Sequence, residues 1–336
     1  TINIELARHG LEVIYLGYHQ SASAIVRAAI QEDVNVVGLS SYNGGHLVFF
    51  KEVVDQLKKS GNADIPVFGG GGGTITPADA RVMQRQGTDR IYFAGTPLDR
   101  MMAEIKRDYA RAAKANPKFK GDRAIARAIT IVESNPTRSS LPATRYSNGA
   151  KCRSYVVGVA GPGGAGKSTL IDELTSRFLK SNPTGRIALL ANDPSHPDSG
   201  GAILGDRVSA IYAQDDRVFF RSLATRGSLT GLSAAAPAAI DILKTSGEFD
   251  LILVESVGVG PGDRDDQQAD GERPVPDLRC RPEARRRHAL RPPAALRRAD
   301  PAAEDRSAQR RRFCRPQQVR PSHGAHRQGR DTGSPQ

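Results

Sequence analysis

Gly161-Pro162-Gly163-Gly164-Ala165-Gly166-Lys167-Ser168 follows directly on an apolar run, residues 155–160, and leads into an amphipathic stretch, residues 169–174. A strand, a glycine loop and a helix in that order constrain a chain strongly. Glycine backbone lets successive N–H groups curl around an anion, and the helix that follows aims its positive N-terminal end at the same point. In that arrangement Lys167 reaches the β- and γ-phosphate oxygens and Ser168 offers its hydroxyl to Mg2+, while Gly161, Gly163, Gly164, Ala165, Gly166 and Thr169 line the cradle. A nucleotide is the ligand this predicts.

Downstream residues supply what such a loop needs. Leu251-Ile252-Leu253-Val254 reads as a buried strand that ends in the carboxylate of Glu255, which would reach Mg2+ directly or through water. Three residues on, Gly258 would offer its backbone N–H to a γ-phosphate. A second apolar strand, 186–191, runs into Asn192-Asp193-Pro194-Ser195, and Leu204-Gly205-Asp206-Arg207 follows. Asp193 and Asp206 are expected in loops that a metal ion and a γ-phosphate would order, a solvated turn being the plainer role for either alone. Lys167, Asp193 and Glu255 are the catalytic candidates. Ser168, Asp193, Asp206 and Glu255 are the metal candidates.

Residues 1–113 read as a separate α/β domain. Apolar runs at 12–16, 34–39, 65–68 and 90–93 alternate with helical stretches near 1–9, 21–32, 46–60, 76–86 and 97–112, the order of a doubly wound, flavodoxin-like parallel sheet. Ligands of such sheets sit beyond the carboxyl ends of the strands. Those ends are small-residue loops at 17–21, at Ser40-Ser41-Tyr42, at Gly69–Gly73 and at Gly95-Thr96, and four of them on one rim predict a large ligand approached closely by backbone. Residues 114–150 are polar and Pro-punctuated, with one helical candidate at 123–133, and read as a connector. The phosphate-loop domain then occupies 151–260.

The net charge of +12 invites a nucleic-acid reading until it is partitioned. Residues 261–336 hold 18 Arg against 11 Asp and Glu, which leaves +5 on residues 1–260, with no aromatic-interleaved basic patch there. Specific nucleic-acid binding is therefore not expected. The last 76 residues also hold 10 Pro and only six large apolar side chains, too few for a core. The change of composition falls inside a motif, next to Gly260, as a shifted reading frame in GC-rich DNA would produce. The tail is expected to be disordered and non-native, and the chain to be truncated at both ends. Cys152, Cys280 and Cys314 show neither metal-ligand nor disulfide spacing, no run is long enough to span a membrane, and a cytoplasmic setting is expected.

At Ser40-Ser41-Tyr42 and Gly69-Gly70 the N-terminal domain resembles the cobalamin-binding domain of the acyl-CoA mutases. The glycine run Gly69–Gly73 is most similar to that of the fused isobutyryl-CoA mutases. The family pattern is Asp-x-His-x-x-Gly, then Ser-x-Leu, then Gly-Gly; Tyr42 stands in place of the Leu, and the first element, which would lie upstream of Thr1, is absent. The resemblance implies adenosylcobalamin at Ser40, Ser41, Tyr42, Gly69, Gly70, Gly95 and Thr96, without the His that ligates cobalt from below. His9, His19 and His46 are the substitutes at hand. His9 is expected to face solvent from a helix, and His19 and His46 to lie in rim loops.

The phosphate loop, Asp193-Pro194-Ser195, Gly200-Gly201-x-x-Leu204-Gly205-Asp206 and Glu255-Ser256-Val257-Gly258-Val259-Gly260 together look like the G-protein chaperones of cobalamin-dependent mutases. This implies Mg2+-dependent GTP hydrolysis that gates cofactor delivery to, and protects, a mutase barrel, in a dimeric enzyme. Two departures stand out. The guanine-reading Asn-Lys-x-Asp does not occur in 261–336, so GTP over ATP rests on resemblance, and no acyl-CoA barrel is present, so these residues alone are not expected to isomerise an acyl-CoA. Two other readings remain open at this point: a non-catalytic α/β assembly module, and a P-loop ATPase or kinase unrelated to cobalamin.

Overall fold

The computed structural model describes residues 2–42, 44–112, 116, 119–134, 154–228 and 230–258. The tail expected at 261–336, and most of the connector expected at 114–150, lie outside the described residues. Residues 2–109 alternate as the pattern predicts: α1 (Ile2–Arg8), β1 (Glu12–Ile14), α2 (Ala22–Gln31), β2 (Val37–Ser40), α3 (His46–Lys59), β3 (Val67–Gly70), α4 (Pro77–Gln86), β4 (Arg90–Tyr92) and α5 (Leu98–Tyr109). Local chemistry sets the ends. Ser21 accepts from Ala24 N at the start of α2, a Thr76–Asp79 capping box with Pro77 opens α4, and Gly87 closes α4 at φ +110°. Helices α2, α3 and α4 bury Val26, Phe50, Val53, Leu57 and Met83 against Val37, Leu39 and Val67.

Strands β2, β3 and β4 form one parallel sheet, with Leu39 opposite Gly69 and Gly70 opposite Tyr92. Strand β1 is not in it. The expectation of four strands on one sheet and four loops on one rim is corrected here: β1 pairs in parallel with β7 (Ala202–Leu204), Glu12 opposite Ala202 and Ile14 opposite Leu204. No described strand lies between β1 and β2 to pair with both, so the polar backbone of β1 is taken up by a strand some 190 positions further along. The loop after β1 goes with it, and Gly17 lies against Val208.

The second lobe contains α6 (Gly121–Ser134), β5 (Tyr155–Val159), α7 (Lys167–Ser181), β6 (Ile187–Asp193), β7, α8 (Asp206–Ser209), β8 (Val218–Ala224), α9 (Ala236–Ser246) and β9 (Leu251–Glu255). Its parallel sheet has the order β5-β9-β6-β8. Period-two alternation divides the strands between two cores. Ala188, Leu190, Phe219, Leu223, Ile252 and Val254 pack on α6 and α9, whereas Ile187, Leu189, Ala191, Val218, Phe220 and Leu253 pack on the α7 side. Helix α6, expected within a connector, contributes the buried Ile125, Ala126, Ala128, Ile129 and Val132, so this part of 114–150 is core rather than spacer.

Three of the rim glycines answer to packing within the sheet. A Cβ at Gly69 would fall 2.3 Å from Leu39 O and 2.5 Å from the Phe50 ring, and one at Gly71 would fall 2.2 Å from Ser41 O. At Gly70 it would fall 2.6 Å from Tyr92 O. Gly69→Ala should therefore destabilise the chain by about 2–3 kcal/mol, the cost of overpacking a rigid backbone neighbour. Gly44→Ala, with no atom within 4 Å of the added methyl, should be close to neutral. Equal urea midpoints for the two variants would refute the packing account.

Candidate functional site

The order β5-β9-β6 puts the phosphate loop, Glu255 and Asp193 at the carboxyl ends of three adjacent parallel strands. The loop itself is left-handed at Gly164 (φ +76°) and Gly166 (φ +83°), the latter serving as the N-cap of α7. Only glycine takes that conformation without strain. Ala165 N donates to Pro162 O at 3.3 Å, Lys167 Nζ donates to the same carbonyl at 3.3 Å, and Thr169, the third residue of α7, is exposed. Ser168 Oγ donates to Glu255 Oε1 at 2.9 Å. Gly258 closes the cradle from the other side: a Cβ there would lie 2.7 Å from Gly163 N and 3.1 Å from Lys167 Nζ. Any side chain at 258 would fill the space over the loop.

Asp193 and Asp206 were expected in loops. Asp193 is instead the last residue of β6, and Asp206 the first of the short helix α8. Burial pushes the Asp193 carboxyl up to about 7, the neighbouring Asp206 adding to the shift and the N–H groups of Asp206 and Gly205 opposing it. Burial likewise pushes Asp206 up to about 6, Glu255 adding and Lys167 opposing. Asp193 Oδ2 is buried without a hydrogen-bond partner. A carboxylate in that state is short of a positive partner. Among the described residues no three His, Cys, Asp or Glu side chains converge as a ready-made metal cluster. Mg2+, which keeps several waters and takes few protein ligands, does not require one.

Asn192, not among the predicted site residues, ties the strand ends together. Its Nδ2 donates to Glu255 O at 2.8 Å and its Oδ1 accepts from Ser233 N at 2.8 Å. Residues 256 and 257 are held by Ser256 N to Val159 O and Val257 N to Gly231 O. A buried amide beside an acid is the only sequence signal that could have pointed to it.

On the N-terminal lobe the structure gathers Ser40, Ser41, Tyr42, Gly69, Gly70, Gly95 and Thr96 at the carboxyl ends of β2, β3 and β4. Ser41 N donates to Gly70 O at 3.1 Å, and Thr96 Oγ1 donates to Phe93 O at 2.8 Å. Tyr42 is exposed beside Gly72, and at Gly73 and Gly95 nothing lies within 4 Å of an added Cβ. This part of the rim is open. None of the three candidate histidines stands over it. His9 Nδ1 bonds Glu5 O just past the end of α1, His19 sits exposed in the loop after β1, and His46 is the buried first residue of α3, 3.5 Å from Asp79 Oδ2. Among the described residues the rim thus fits backbone contact with a flat ligand, and none of these three histidines faces it.

Residues 2–96 match the B12 binding domain, and residues 125–266 match the methylmalonyl Co-A mutase-associated GTPase MeaB, a match that takes in α6 from Ile125 onward. Over 278 residues the chain is 40% identical to the fused isobutyryl-CoA mutase of Geobacillus kaustophilus, covering 77% of this chain and 25% of that protein. This chain is a homologue of the fused isobutyryl-CoA mutases. The fused isobutyryl-CoA mutase of Cupriavidus metallidurans is also 40% identical over 77% of the chain and 25% of its own length. A putative GTPase of Pyrococcus abyssi is 46% identical over 42% of the chain and 43% of its own length. The chain thus spans about a quarter of the length of the fused mutases it matches.

The raised carboxyls give a pH signature with a definite sign. Asp193 and Asp206 hold their protons more tightly folded than unfolded, so their contribution to ligand-free stability is complete below the ordinary carboxylate range and is lost as pH rises through about 6 to 7. Melting in EDTA should therefore show a Tm that falls between about pH 5 and about pH 8, and Asp193→Asn should remove much of that fall. An Asp193→Asn slope equal to that of the unsubstituted chain would rule out this origin.

Proposed function

We propose that this chain is the cobalamin-binding and nucleotide-binding part of a fused acyl-CoA mutase, in which GTP hydrolysis gates the handling of cobalamin. The observation that carries the reading is the cradle made by Gly163, Lys167 and Gly258, flanked by Ser168, Glu255 and the unpartnered Asp193 Oδ2, in one chain with an open cobalamin-type rim. Lys167 and the loop N–H groups would bind the β- and γ-phosphates. Ser168 and Asp193, with Asp206 and Glu255 around them, would hold Mg2+, whose charge neutralises phosphate oxygens when it is bound.

Phosphoryl transfer to water leaves little covalent work for protein groups, so their task is positioning and charge complementarity. Gly258 would support the γ-phosphate, and Glu255 would orient Ser168 and the water around it. Ionised Asp193 and Asp206 repel one another until a cation arrives, so the acidic cluster favours a metal-bound nucleotide over the bare trianion or tetra-anion. On the other lobe, cobalamin would lie against Ser40, Ser41, Tyr42, Gly70, Gly95 and Thr96. The acyl-CoA barrel would be the partner of both lobes, and a homodimer the assembled form.

Lys167→Ala should reduce affinity for a fluorescent GTP analogue by at least about a hundredfold, the loss of one buried charge-assisted contact with phosphate. Unchanged affinity would sink the assignment. Competition of that analogue by GTP but not by ATP supports the GTPase reading, and equal competition favours a general P-loop ATPase. Cobalamin added to the chain should bind without the spectral change that histidine ligation to cobalt produces, since none of His9, His19 and His46 stands over the described rim; a histidine-ligated spectrum would contradict the rim geometry.

A further inference from the structure

A four-residue helix has too few internal hydrogen bonds to fix its own position, so the place of α8, and of Asp206 at its start, depends on what grips it. Two grips come from the N-terminal lobe. Upstream, β7 pairs with β1, Ser199 Oγ donates to Ala7 O at 2.8 Å, and a Cβ at Gly201 would fall 2.1 Å from Ala7 O. Downstream, Arg207 turns inward. It donates to Glu32 Oε1 at 3.3 Å, to Gln31 Oε1 at 2.8 Å and to Phe220 O at 3.1 Å. Glu32 is itself fully buried and also accepts from Ser222 N at 3.0 Å and Ser222 Oγ at 3.2 Å. One residue before Arg207, Asp206 lies in the electrostatic field of Lys167 and Glu255.

We propose that Glu32 and Gln31 are positioning residues for the nucleotide site, acting through Arg207 to fix Asp206 beside the phosphate loop. This rests on the nucleotide reading above and extends it: the cobalamin-type lobe supplies order to the Mg2+ side of the site without placing a side chain in the phosphate cradle. The coupling is reciprocal. A magnesium–nucleotide complex that binds better when Asp206 is fixed must tighten the grip of Glu32 on Arg207 by the same factor.

The test uses the full chain and a fluorescent GTP analogue, titrated once with Mg2+ and once with EDTA. Lys167 and the loop N–H groups act in both titrations, whereas Asp206 matters only when the metal is present. Glu32→Gln, which keeps the side-chain volume, should cut the Mg2+-dependent gain in affinity about tenfold while the EDTA value stays within about twofold, as for residues coupled by direct contact. Combined with Asp206→Asn it should add nothing further, because both act on one path. Arg207→Lys should show the same pattern and is the second probe should Glu32→Gln not fold. Arg123→Lys, whose buried guanidinium pairs with the exposed Asp64 between the lobes, should lower the melting temperature and leave the Mg2+ gain intact. A Glu32→Gln chain that melts lower but keeps the full Mg2+ gain, or losses from Glu32→Gln and Asp206→Asn that simply add, would overturn the inference alone. Failure of the unsubstituted chain to bind the analogue would overturn the nucleotide reading and this inference with it.

Discussion

The outer edge of β8 is the constraint on which the two lobes depend. The outermost strand of a parallel sheet turns alternate N–H and C=O groups away from its partner, and left bare they would be costly to bury. Here side chains stand in for a further strand. Val218 O accepts from Gln31 Nε2, Phe220 N donates to Gln31 Oε1, Phe220 O accepts from Arg207 and Ser222 N donates to Glu32. The arrangement buries a carboxylate, which requires Arg207 beside it, and Arg221 follows, shared with Glu133 of α6. Removing one member of such a set leaves an unpaired buried charge and costs on the order of 3–5 kcal/mol. The docking of α2 against α6, the Arg127–Asp33 pair and the Arg123–Asp64 pair all gather around the same seam.

The nucleotide site inherits its character from that seam. Asp193 and Asp206 are crowded by burial and by each other's charge, a repulsion that a bound cation would relieve. The neighbouring carboxylate of Glu32 adds to the negative field at Asp193. A charge contributed by one lobe thus tunes an acid on the other, over and above any mechanical link.

What the sequence made legible was chemistry held within a few residues. The phosphate loop, its strand and its helix are contiguous, and Glu255 ends an apolar run, so the site could be assembled from local signals. The glycines were legible too, but their purpose was not: Gly69, Gly70 and Gly71 are demanded by the Leu39, Tyr92 and Ser41 carbonyls, where a ligand had seemed the reason. Strand β1 was found at its expected position yet paired elsewhere, because a short apolar run says that it is a strand and nothing about its neighbour. Arg207 with Glu32 was out of reach altogether. The two are separated by 175 positions, and a glutamate at the end of an amphipathic helix reads as solvated.

The side chains that complete the edge of β8 also settle where this molecule can be divided. A cut near residue 113 falls between the two regions that match separate families, and looks like a natural boundary. It would leave β8 with open backbone groups on one fragment and Glu32 without its arginines on the other. Those contacts tie the lobes together, so heat should take them apart in a single transition whose calorimetric and van't Hoff enthalpies agree.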